Sequence, residues 1–487
     1  MKQNILKCIM SCFIVSMFFI LSNCSDDDNN TGGGTVTPPT IDTLVAERNM
    51  ERAMAIADAS ISHYFVGDDM KLSSSYNPFT QKRSPDYSGI FEYTAAMEMA
   101  NAILKALNTH KEHGNVELYN ANYQRYLDFL YHLEANLNYC RGSFHLTSFT
   151  RNNVEWHVYS VGRSNTRNTA DVEGRMNVYD DQLWLIIELL RSYKVTKDPI
   201  FLNEAEYLME YVLDGWDSTI DQATGLEVGG TPWGPGYVTK HSASNGPSIS
   251  PLVWLYEIYK DKEDVTTHYY IKANRTRTSE QMKKKDYYLM FAKKIYAWQK
   301  KNMRLESGVY SDMQGGCGDC NVEYEVVDGV TYRANTPLDD AVGGEYSYNT
   351  GSMLMGACDL YRVTNEADYL ADIKELGEKS FNYFAKPIPD WSGYYNFEGS
   401  TSARVLLWGY LDAYPYDSRT ASYIDSFQKL FDYAYQTHLQ DGILPEDLYE
   451  GWNSGSQSVI PMLQFSYAAE FALFSEFELI KKKRGEN

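Results

Sequence analysis

Hydrophobic residues recur at helical spacing from Asp42 onward, and two kinds of helix alternate along the chain. One kind is amphipathic: in Pro199 to Leu213 the apolar residues share one face and glutamates lie outside it. The other kind, such as Leu183 to Leu190, is apolar on nearly all sides and must be covered all round. Amphipathic helices are predicted to begin near Asp42, Asn120, Pro199, Ser279, Glu366 and Ala421, and apolar helices near Gly89, Tyr179, Ser248, Tyr348, Ser402 and Val459.

This strict alternation with few strands predicts an all-α fold, an (α/α)6 barrel with an inner and an outer ring of six helices each. Connections from outer to inner helices are long and rich in Gly, Trp, Tyr and Asp, whereas most connections from inner to outer helices are short. The exception is a polar insertion, Asp261 to Thr278, whose role the sequence does not define. Long loops gathered at one end of a rigid scaffold favour a functional site at that end.

Two of the long loops are predicted to contain small β-hairpins that would form walls beside a cleft. Tyr324 to Tyr332 places Asp328-Gly329 between two β-favouring runs, which is a specific hairpin signal. Ser143 to Thr169 alternates less regularly, around Val154 to Tyr159.

The first 23 residues are typical of a lipoprotein signal peptide. Lys2 and Lys7 supply positive charge, and the apolar stretch Ile9 to Leu21 is too short to span a bilayer comfortably. The following Cys24 completes a sequence that resembles a lipobox, so Cys24 is the predicted site of lipidation.

The segment after Cys24 indicates where the protein is exported. Ser25-Asp26-Asp27-Asp28 resembles the surface-export signal of Bacteroidota lipoproteins. Residues 24–41 are predicted to be a flexible tether and residues 42–487 a single catalytic domain. We therefore expect an outer-membrane protein, held to the membrane by its lipid alone and exposed at the cell surface. The periplasmic face is the alternative location.

Composition narrows the class of partner. A formal net charge of −21 argues against nucleic acid, because no basic stripe exists to neutralise phosphates. The 9 Trp and 40 Tyr fit either core packing or stacking on sugar rings. With only 9 His and no nucleotide-binding or metalloprotease motif, no metal centre is predicted. The expected partner is a polysaccharide or oligosaccharide, bound by a monomer.

The cysteines outside the signal peptide suggest no catalysis. Cys317 and Cys320 are spaced like a redox or zinc pair, but no second pair completes a zinc site. A local disulfide is the favoured interpretation for an exported protein, with free thiols next. The sequence leaves the state of Cys140 and Cys358 open.

Asp180 and Asp181 open the apolar helix that begins at Tyr179. Two like charges at the mouth of a buried helix are costly, and their repulsion would raise one pKa. Retaining glycosidases need such a pair, with one carboxylate as nucleophile and one carboxylic acid as proton donor. The structural alternative is an N-cap aspartate with a charged neighbour in the first turn.

Other loops at the same end contain groups suited to a sugar site. Gly229-Gly230 precedes Trp233 and would let backbone approach closely, while His241 and Asn245 could bind hydroxyl groups. Asp339-Asp340 is a rival acidic pair, for which catalysis, substrate binding and loop capping are the alternatives. Trp391 and Trp452 add aromatic surface to later loops.

These motifs resemble glycoside hydrolase family 76. The resemblance rests on Tyr179-Asp180-Asp181-Gln182-Leu183-Trp184, on Gly229-Gly230 with Trp233, on Ser244-Asn245-Gly246-Pro247, and on Tyr348-Asn349 followed by Gly351. It implies an (α/α)6 barrel without metal or organic cofactor that cleaves α-mannosidic bonds with retention, as endo-α-1,6-mannanases do. It also implies that Asp180 is the nucleophile and Asp181 the acid/base. The candidate substrate-binding residues are Tyr179, Trp184, Trp233, His241, Asn245, Asp339, Asp340, Tyr348, Asn349, Trp391 and Trp452.

The chain departs from the family pattern at two positions expected to hold sugar. Thr350 stands where the family has Gln, and Glu398 stands where it has Lys. These departures leave a non-hydrolytic glycan-binding lipoprotein as one alternative. Another (α/α)6 enzyme, a uronyl hydrolase or a lyase, is the other alternative, although acidic sugars should require Arg or Lys in the cleft and the aromatic loops contain few basic residues.

Overall fold

The computed structural model describes residues 41–315, 321–338, 340–397, 400–453 and 456–484. Several predictions concern positions outside this part of the chain and remain predictions. They are the signal peptide and tether, the lipidation of Cys24, the Cys317–Cys320 pair, and the roles of Asp339 and Glu398.

Twelve α-helices in the described part of the chain alternate between outer and inner positions, as predicted. The outer helices are α1 (Ile41–Tyr64), α3 (Val116–Leu137), α5 (Pro199–Asp214), α7 (Lys284–Met303), α9 (Ala367–Phe384) and α11 (Thr420–His438). The inner helices are α2 (Ile90–Glu112), α4 (Tyr179–Thr196), α6 (Ile249–Tyr259), α8 (Ser347–Thr364), α10 (Ser400–Ala413) and α12 (Pro461–Arg484).

The inner helices form a closed ring. Each one packs against the next inner helix in chain order, and α12 returns to contact α2. Each of the first five also packs on the outer helix that follows it, while α12 packs on α1. This arrangement is an (α/α)6 barrel, so the predicted fold class is confirmed.

The two helix types follow from their residues. In α5 the carboxylate of Asp198 accepts a hydrogen bond from the Ile200 N–H at 3.0 Å, which caps an amphipathic helix. In α8 every residue from Asn349 to Leu360 is buried, because this helix has neighbours on all sides. Gly351 allows the close contact with α10, since a Cβ there would lie 2.6 Å from the Val405 backbone.

Short antiparallel strands occupy the connections between helices. They are β1 (Phe65–Val66), β2 (Lys71–Leu72), β3 (Tyr76–Asn77), β4 (Lys82–Arg83), β5 (Arg141–Leu146), β6 (Val154–Tyr159), β7 (Lys240–His241), β8 (Val265–Ile271), β9 (Arg277–Lys283), β10 (Met313–Gln314), β11 (Tyr324–Val327), β12 (Val330–Arg333), β13 (Ala341–Val342), β14 (Ala385–Pro387) and β15 (Tyr395–Phe397). All of them except β8 and β9 lie in the long outer-to-inner connections, at the end where the inner helices begin.

Both predicted hairpins are present. Strands β11 and β12 pair with Val327 opposite Val330, so Asp328 and Gly329 form a two-residue turn with φ of 52° and 81°. Strands β5 and β6 form the second hairpin, which begins at Arg141.

The polar insertion forms a further hairpin, β8–β9, which the sequence did not predict. A helix was expected from near Ser279, but β9 continues to Lys283 and α7 begins at Lys284. The insertion alternates weakly and lacks a two-residue turn signal, so its strands escaped detection. Its far end reaches the long-loop end of the barrel, where the Arg277 Nε donates a hydrogen bond to the Phe149 carbonyl at 2.9 Å.

Cys140 and Cys358 are both buried free thiols. No helix in the described part of the chain combines the length and apolarity needed to cross a membrane.

Candidate active site

The first turn of α4 carries Asp180 and Asp181 at the long-loop end of the barrel. Val178 occupies the N-cap position in an extended conformation, and no side chain caps the helix there. Neither aspartate is the N-cap residue, so that structural alternative is wrong. Asp180 instead accepts a hydrogen bond from the backbone N–H of Asp181 at 3.0 Å.

Two loops hold this first turn in place. The backbone N–H of Tyr179 donates a hydrogen bond to the carbonyl of Trp233 at 2.7 Å. The Gln182 side chain accepts from the N–H of Tyr159 at 3.2 Å and donates to the carbonyl of the same residue at 2.7 Å. The pair therefore lies on a turn fixed by the Trp233 loop and by the β5–β6 hairpin.

The two carboxyl groups have different surroundings. Burial raises the pKa of Asp180 to about 6, and hydrogen bonds from the Trp233 side chain and the Asp181 backbone oppose that rise. Burial also raises the pKa of Asp181 well above its usual value, and the negative charges of Asp180 and Glu92 raise it further. Asp181 therefore has the stronger tendency to hold a proton, while hydrogen bonds favour the ionised form of Asp180.

Asp312 is a third carboxylate at this site, and sequence analysis missed it. It accepts hydrogen bonds from the side chains of Tyr348 and Asn349, at the start of α8. Burial raises the pKa of Asp312, and its charge adds to the raised pKa of Asp180. The Tyr348 ring stacks on the exposed ring of Tyr346, with centroids 5.5 Å apart. Asp312 and Tyr348 both lie close enough to Asp180 for their charges to interact with it.

A small three-stranded sheet brings these loops together. β10 pairs with β7 and β13, which places Met313 opposite both His241 and Val342. The N–H of Ser242 also donates to the Asp312 carbonyl at 2.7 Å. Asp312 is thereby held next to the Trp233 loop. Asp340, directly before β13, is exposed.

His241 supports Trp233 from behind. The two rings stack with centroids 4.8 Å apart and planes at 21°. Burial lowers the pKa of His241 to about 4, so the ring is neutral at physiological pH. Its Nε2 lies 3.0 Å from the Thr239 hydroxyl. His241 therefore orients the indole that contacts Asp180.

Three residues expected to bind substrate have structural roles instead. Asn245 is fully buried, and its amide makes hydrogen bonds of 2.7–2.9 Å with backbone groups of Thr231 and His241. The Tyr179 ring is buried against Tyr211, with centroids 5.0 Å apart. Trp184 is buried one turn below the aspartates. The expectation that Tyr179, Trp184 and Asn245 contact sugar is therefore corrected.

Thr350 is also internal to the protein. Its side chain is fully buried in α8, and its hydroxyl accepts a hydrogen bond from the Tyr310 N–H at 3.2 Å. The departure from the family pattern at this position therefore changes the wall of the barrel, and the expectation that Thr350 lies in a sugar-holding loop is wrong.

Trp391 and Trp452 pack beside outer helix α11. The Trp391 ring lies 4.6 Å from Tyr433 of α11. The Trp452 indole donates to the carbonyl of His438 at 2.6 Å, and its ring meets the exposed Phe79 edge-on. Both indoles belong to the long-loop end, on the side of α11 rather than at the first turn of α4.

The sequence contains only weak indications of Glu92 and Asp312, which were not predicted as site residues. Glu92 lies in the first turn of inner helix α2, as Asp181 does in α4, and this equivalence of position could have identified it. Asp312 follows outer helix α7 in a loop, and only the pairing of β10 with β7 brings it to the site. Among the described residues, no group of three or more His, Cys, Asp and Glu side chains could hold a metal ion.

Comparison with known proteins finds a family match over part of the chain and a fold shared along most of it. The model of glycosyl hydrolase family 76 matches residues 277–441. No curated protein matches the chain in sequence.

Solved structures resemble the chain along most of its length. A family 76 glycoside hydrolase from Bacteroides thetaiotaomicron, described as a mannosidase, shares 17% identity at a TM-score of 0.63, over 90% of this chain and 100% of that one. An α-mannanase of the same family and species shares 15% sequence identity at a TM-score of 0.61, over 90% of this chain and 97% of that one. An inactive α-1,6-mannanase variant from Salegentibacter, bound to α-1,6-mannotriose, shares 18% sequence identity at a TM-score of 0.53. The match covers 88% of this chain and 99% of that one.

At these identities the structural likeness establishes the fold alone, an (α/α)6 barrel. The family match covers the segment from β9 to the end of α11, which includes Asp312, Tyr348 and Asn349. The chain is therefore similar to glycosyl hydrolase family 76 in sequence over residues 277–441 and in fold along most of its length.

Proposed function

We propose that this protein is a retaining glycoside hydrolase that cuts internal α-1,6 linkages of mannan. The observation that carries the proposal is the pair at the mouth of α4, where hydrogen bonds favour an ionised Asp180 and where burial and the charge of Asp180 favour a protonated Asp181. The substrate is supported by the α-1,6-mannotriose complex of a similar structure. That relative is inactive when two consecutive aspartates are replaced, which supports the same role for Asp180 and Asp181.

In the first step the Asp180 carboxylate attacks the anomeric carbon and forms a glycosyl ester. The bond from that carbon to the leaving oxygen breaks, and Asp181 donates its proton to the oxygen. The ester removes the negative charge of Asp180, which is one of the groups that raise the pKa of Asp181. The pKa of Asp181 therefore falls as the intermediate forms.

In the second step the deprotonated Asp181 accepts a proton from water. The water oxygen attacks the anomeric carbon, and the ester bond to Asp180 breaks. Two inversions give net retention. Both residues then return to their starting protonation states, so one pair of groups with separated pKa values serves both steps.

The remaining groups are suited to neutral sugars. Asp312, Tyr348 and Asn349 offer acceptors and donors for hydroxyl groups beside Asp180. Tyr346 exposes 46% of its surface, and its stacked ring provides a flat apolar face for a pyranose. No basic side chain is among these groups, which favours a neutral glycan over a uronic acid polymer.

The decisive experiment combines two variants with debranched α-1,6-mannan. Asp180→Ala is expected to abolish oligosaccharide release, and added azide should restore turnover by giving the β-mannosyl azide. Asp181→Ala with azide should give the α-mannosyl azide, because the nucleophile Asp180 is then intact. Asp261→Asn, an exposed aspartate at the opposite end of the barrel, is the control.

The alternative is a glycan-binding protein without hydrolysis. Binding of mannan by the wild-type protein with no release of reducing ends would establish that alternative and exclude the enzyme. Inverted products from the wild-type enzyme would reject the nucleophile assignment alone. The buried position of Thr350 removes one of the two observations that favoured this alternative.

We also propose a location. Acylation of Cys24 would hold residues 42–487, a single monomeric catalytic domain, at the outer membrane on the end of the tether formed by residues 24–41. Labelling with a radioactive fatty acid should mark the wild-type protein and not Cys24→Ala. Added protease should degrade the anchored protein on intact cells if it faces outward, and should spare it if it faces the periplasm.

A further inference from the structure

A layer of side chains crosses the barrel just below the aspartate pair. Trp184 of α4 and Trp408 of α10 approach with ring centroids 6.4 Å apart. The Arg404 guanidinium lies within 6 Å of both rings and pairs with Glu98 of α2 at 3.0 Å. Because α4 and α10 face each other across the ring of inner helices, this layer separates the two ends of the barrel.

A cavity of about 480 Å³ lies on the far side of that layer. It opens where the inner helices end, opposite the candidate active site. Its volume is within the range of about 300–1,000 Å³ that small-molecule sites occupy. The helix ends contribute a partial negative potential to this cavity, whereas the helix starts contribute a positive one at the active site.

The lining of the cavity carries charges of both signs in equal number. The acids are Glu98, Asp359, Asp412 and Glu476, and the bases are Lys105, Arg191, Lys194 and Arg362. Most of these groups are paired. Lys105 lies 3.0 Å from Glu476, Arg362 lies 2.5 Å from Asp359, and Arg191 lies 2.8 Å from Glu188.

Lys194 and Asp412 are the exceptions. Among the described residues, neither has an oppositely charged atom within 4.0 Å. Both side chains are accessible, and they lie on the opposed helices α4 and α10. The Lys194 ammonium covers the Trp254 ring at 3.4 Å. Although both side chains are accessible, desolvation by the surrounding cavity walls lowers the pKa of Lys194 to about 7 and raises that of Asp412 to about 6, and the more distant opposite charges in the cavity oppose these shifts only partly.

We propose that this cavity binds a small zwitterion of the α-amino-acid class. The ligand carboxylate would pair with Lys194, its ammonium group with Asp412, and its apolar side chain would contact Leu411, Leu473 and Phe477. Such a ligand supplies a counter-charge to both Lys194 and Asp412. Because it carries no net charge, the net charge of the cavity stays the same.

Other ligand classes fit the cavity less well. A simple anion would face four carboxylates and the negative helix ends, and a simple cation would face four basic groups. A sugar needs a free aromatic face, but Lys194 covers one face of Trp254 and Arg191 covers one face of Trp408 at 3.9 Å. The charge pattern therefore selects a molecule with both signs.

Calorimetric titration of the full chain tests the proposal with L-leucine as the probe. We expect one site, and at least about tenfold weaker binding of 4-methylpentanoate and 3-methylbutylamine, each of which lacks one charge. Lys194→Met and Asp412→Asn should each weaken L-leucine binding by at least about tenfold. The exposed Lys262→Met and Asp261→Asn, at the same end of the barrel, are matched controls that should bind like wild type.

The variants also show which residue pairs with which charged group of the ligand. Lys194→Met should bind L-leucine no more tightly than 3-methylbutylamine, because the partner of the carboxylate is gone. It should still bind L-leucine more tightly than 4-methylpentanoate, because Asp412 remains to pair with the ammonium group. Asp180→Asn should leave binding unchanged, because the site is separate from the proposed catalytic pair. The proposal is overturned if L-leucine produces no binding heat, if either singly charged analogue binds as tightly, or if D-mannose binds in its place.

Discussion

The backbone N–H of Tyr179 donates a hydrogen bond of 2.7 Å to the carbonyl of Trp233. This bond joins the start of α4 to the loop whose indole contacts Asp180, so the nucleophile candidate and the group that tunes it move together. His241 fixes the other side of the same indole. The pKa of Asp180 thus depends on the position of a loop distant in sequence.

Trp233→Phe removes the indole donor and keeps an aromatic ring on His241. Because the hydrogen bond from Trp233 lowers the pKa of Asp180, its loss should raise that pKa above its value of about 6. The acidic limb of kcat/KM against pH should move upward, with about tenfold lower kcat/KM on that limb. Trp452→Phe also loses an indole hydrogen bond, to His438 beside α11, and should leave the limb in place. An unmoved limb in Trp233→Phe would contradict the assignment of Asp180.

Glu92→Gln tests the other carboxyl group. The negative charge of Glu92 raises the pKa of Asp181, so its removal should lower that pKa. The proton of the general acid is then lost at lower pH, and the alkaline limb of kcat/KM should shift downward while the acidic limb stays. Glu117→Gln changes an exposed acid in the first turn of outer helix α3 and serves as the control. If the acidic limb shifted instead, Asp181 would be the nucleophile and Asp180 the acid/base.

Asp312→Asn should act in two ways. It removes a charge that raises the pKa of Asp180, so the acidic limb should move downward, opposite to the shift expected for Trp233→Phe. It also removes the carboxylate that accepts from Tyr348 and Asn349. We expect kcat/KM at neutral pH to fall by about 10- to 100-fold from weaker sugar binding. Equal kcat/KM in variant and wild type would remove Asp312 from the site.

The sequence was sufficient to predict the fold because the barrel depends on a local signal. Helix faces and loop lengths can be read along the chain. Ten helices begin within two residues of the expected position, α3 begins four residues early, and α7 begins five residues late because β9 occupies the start of that segment. The Asp328-Gly329 hairpin was predicted for the same reason, since its turn chemistry is local.

The details of the site depend on contacts between distant segments, and these carried no local signal. Asp312 reaches Asp180 only through the pairing of β10 with β7. Asn245 was expected to bind sugar because it is polar and lies at a helix start. Its amide instead accepts a hydrogen bond from the Thr231 N–H and donates one to the Thr231 carbonyl. A polar residue in an active-site loop therefore has two possible partners, sugar or backbone, and only the fold distinguishes them.

Asp181→Asn should stabilise the protein, and more so as pH rises. The folded Asp181 keeps its proton above the pH at which an unfolded aspartate, with a pKa of about 3.9, loses it. The folded state then binds more protons, so this residue lowers the free energy of unfolding as pH rises, by at most about 1.4 kcal/mol per pH unit. Urea unfolding from about pH 5 to about pH 8 should show a growing advantage of the variant. The exposed Asp261→Asn should show none.

Arg277→Ala should loosen the loops around the site without touching the aspartate pair. The Arg277 side chain is largely buried and joins three segments: its own hairpin, the Phe149 carbonyl at 2.9 Å, and Glu325 of the β11–β12 hairpin at 2.6 Å. Its guanidinium also lies 4.0 Å from the ring centre of Tyr332.

Loss of these contacts should raise backbone amide exchange in residues 147–153 and 324–333, because each segment loses a partner that holds it to the other. Arg333 extends the connection to the Trp233 loop, since its guanidinium donates to the Pro235 carbonyl at 3.1 Å. We therefore expect KM to rise while the pH limbs stay unchanged. Hydrogen–deuterium exchange by mass spectrometry measures the first effect. Lys272→Ala, at the exposed tip of the same hairpin, should change neither exchange nor KM. Equal exchange in wild type and Arg277→Ala would mean that the inserted hairpin does not brace the active-site loops.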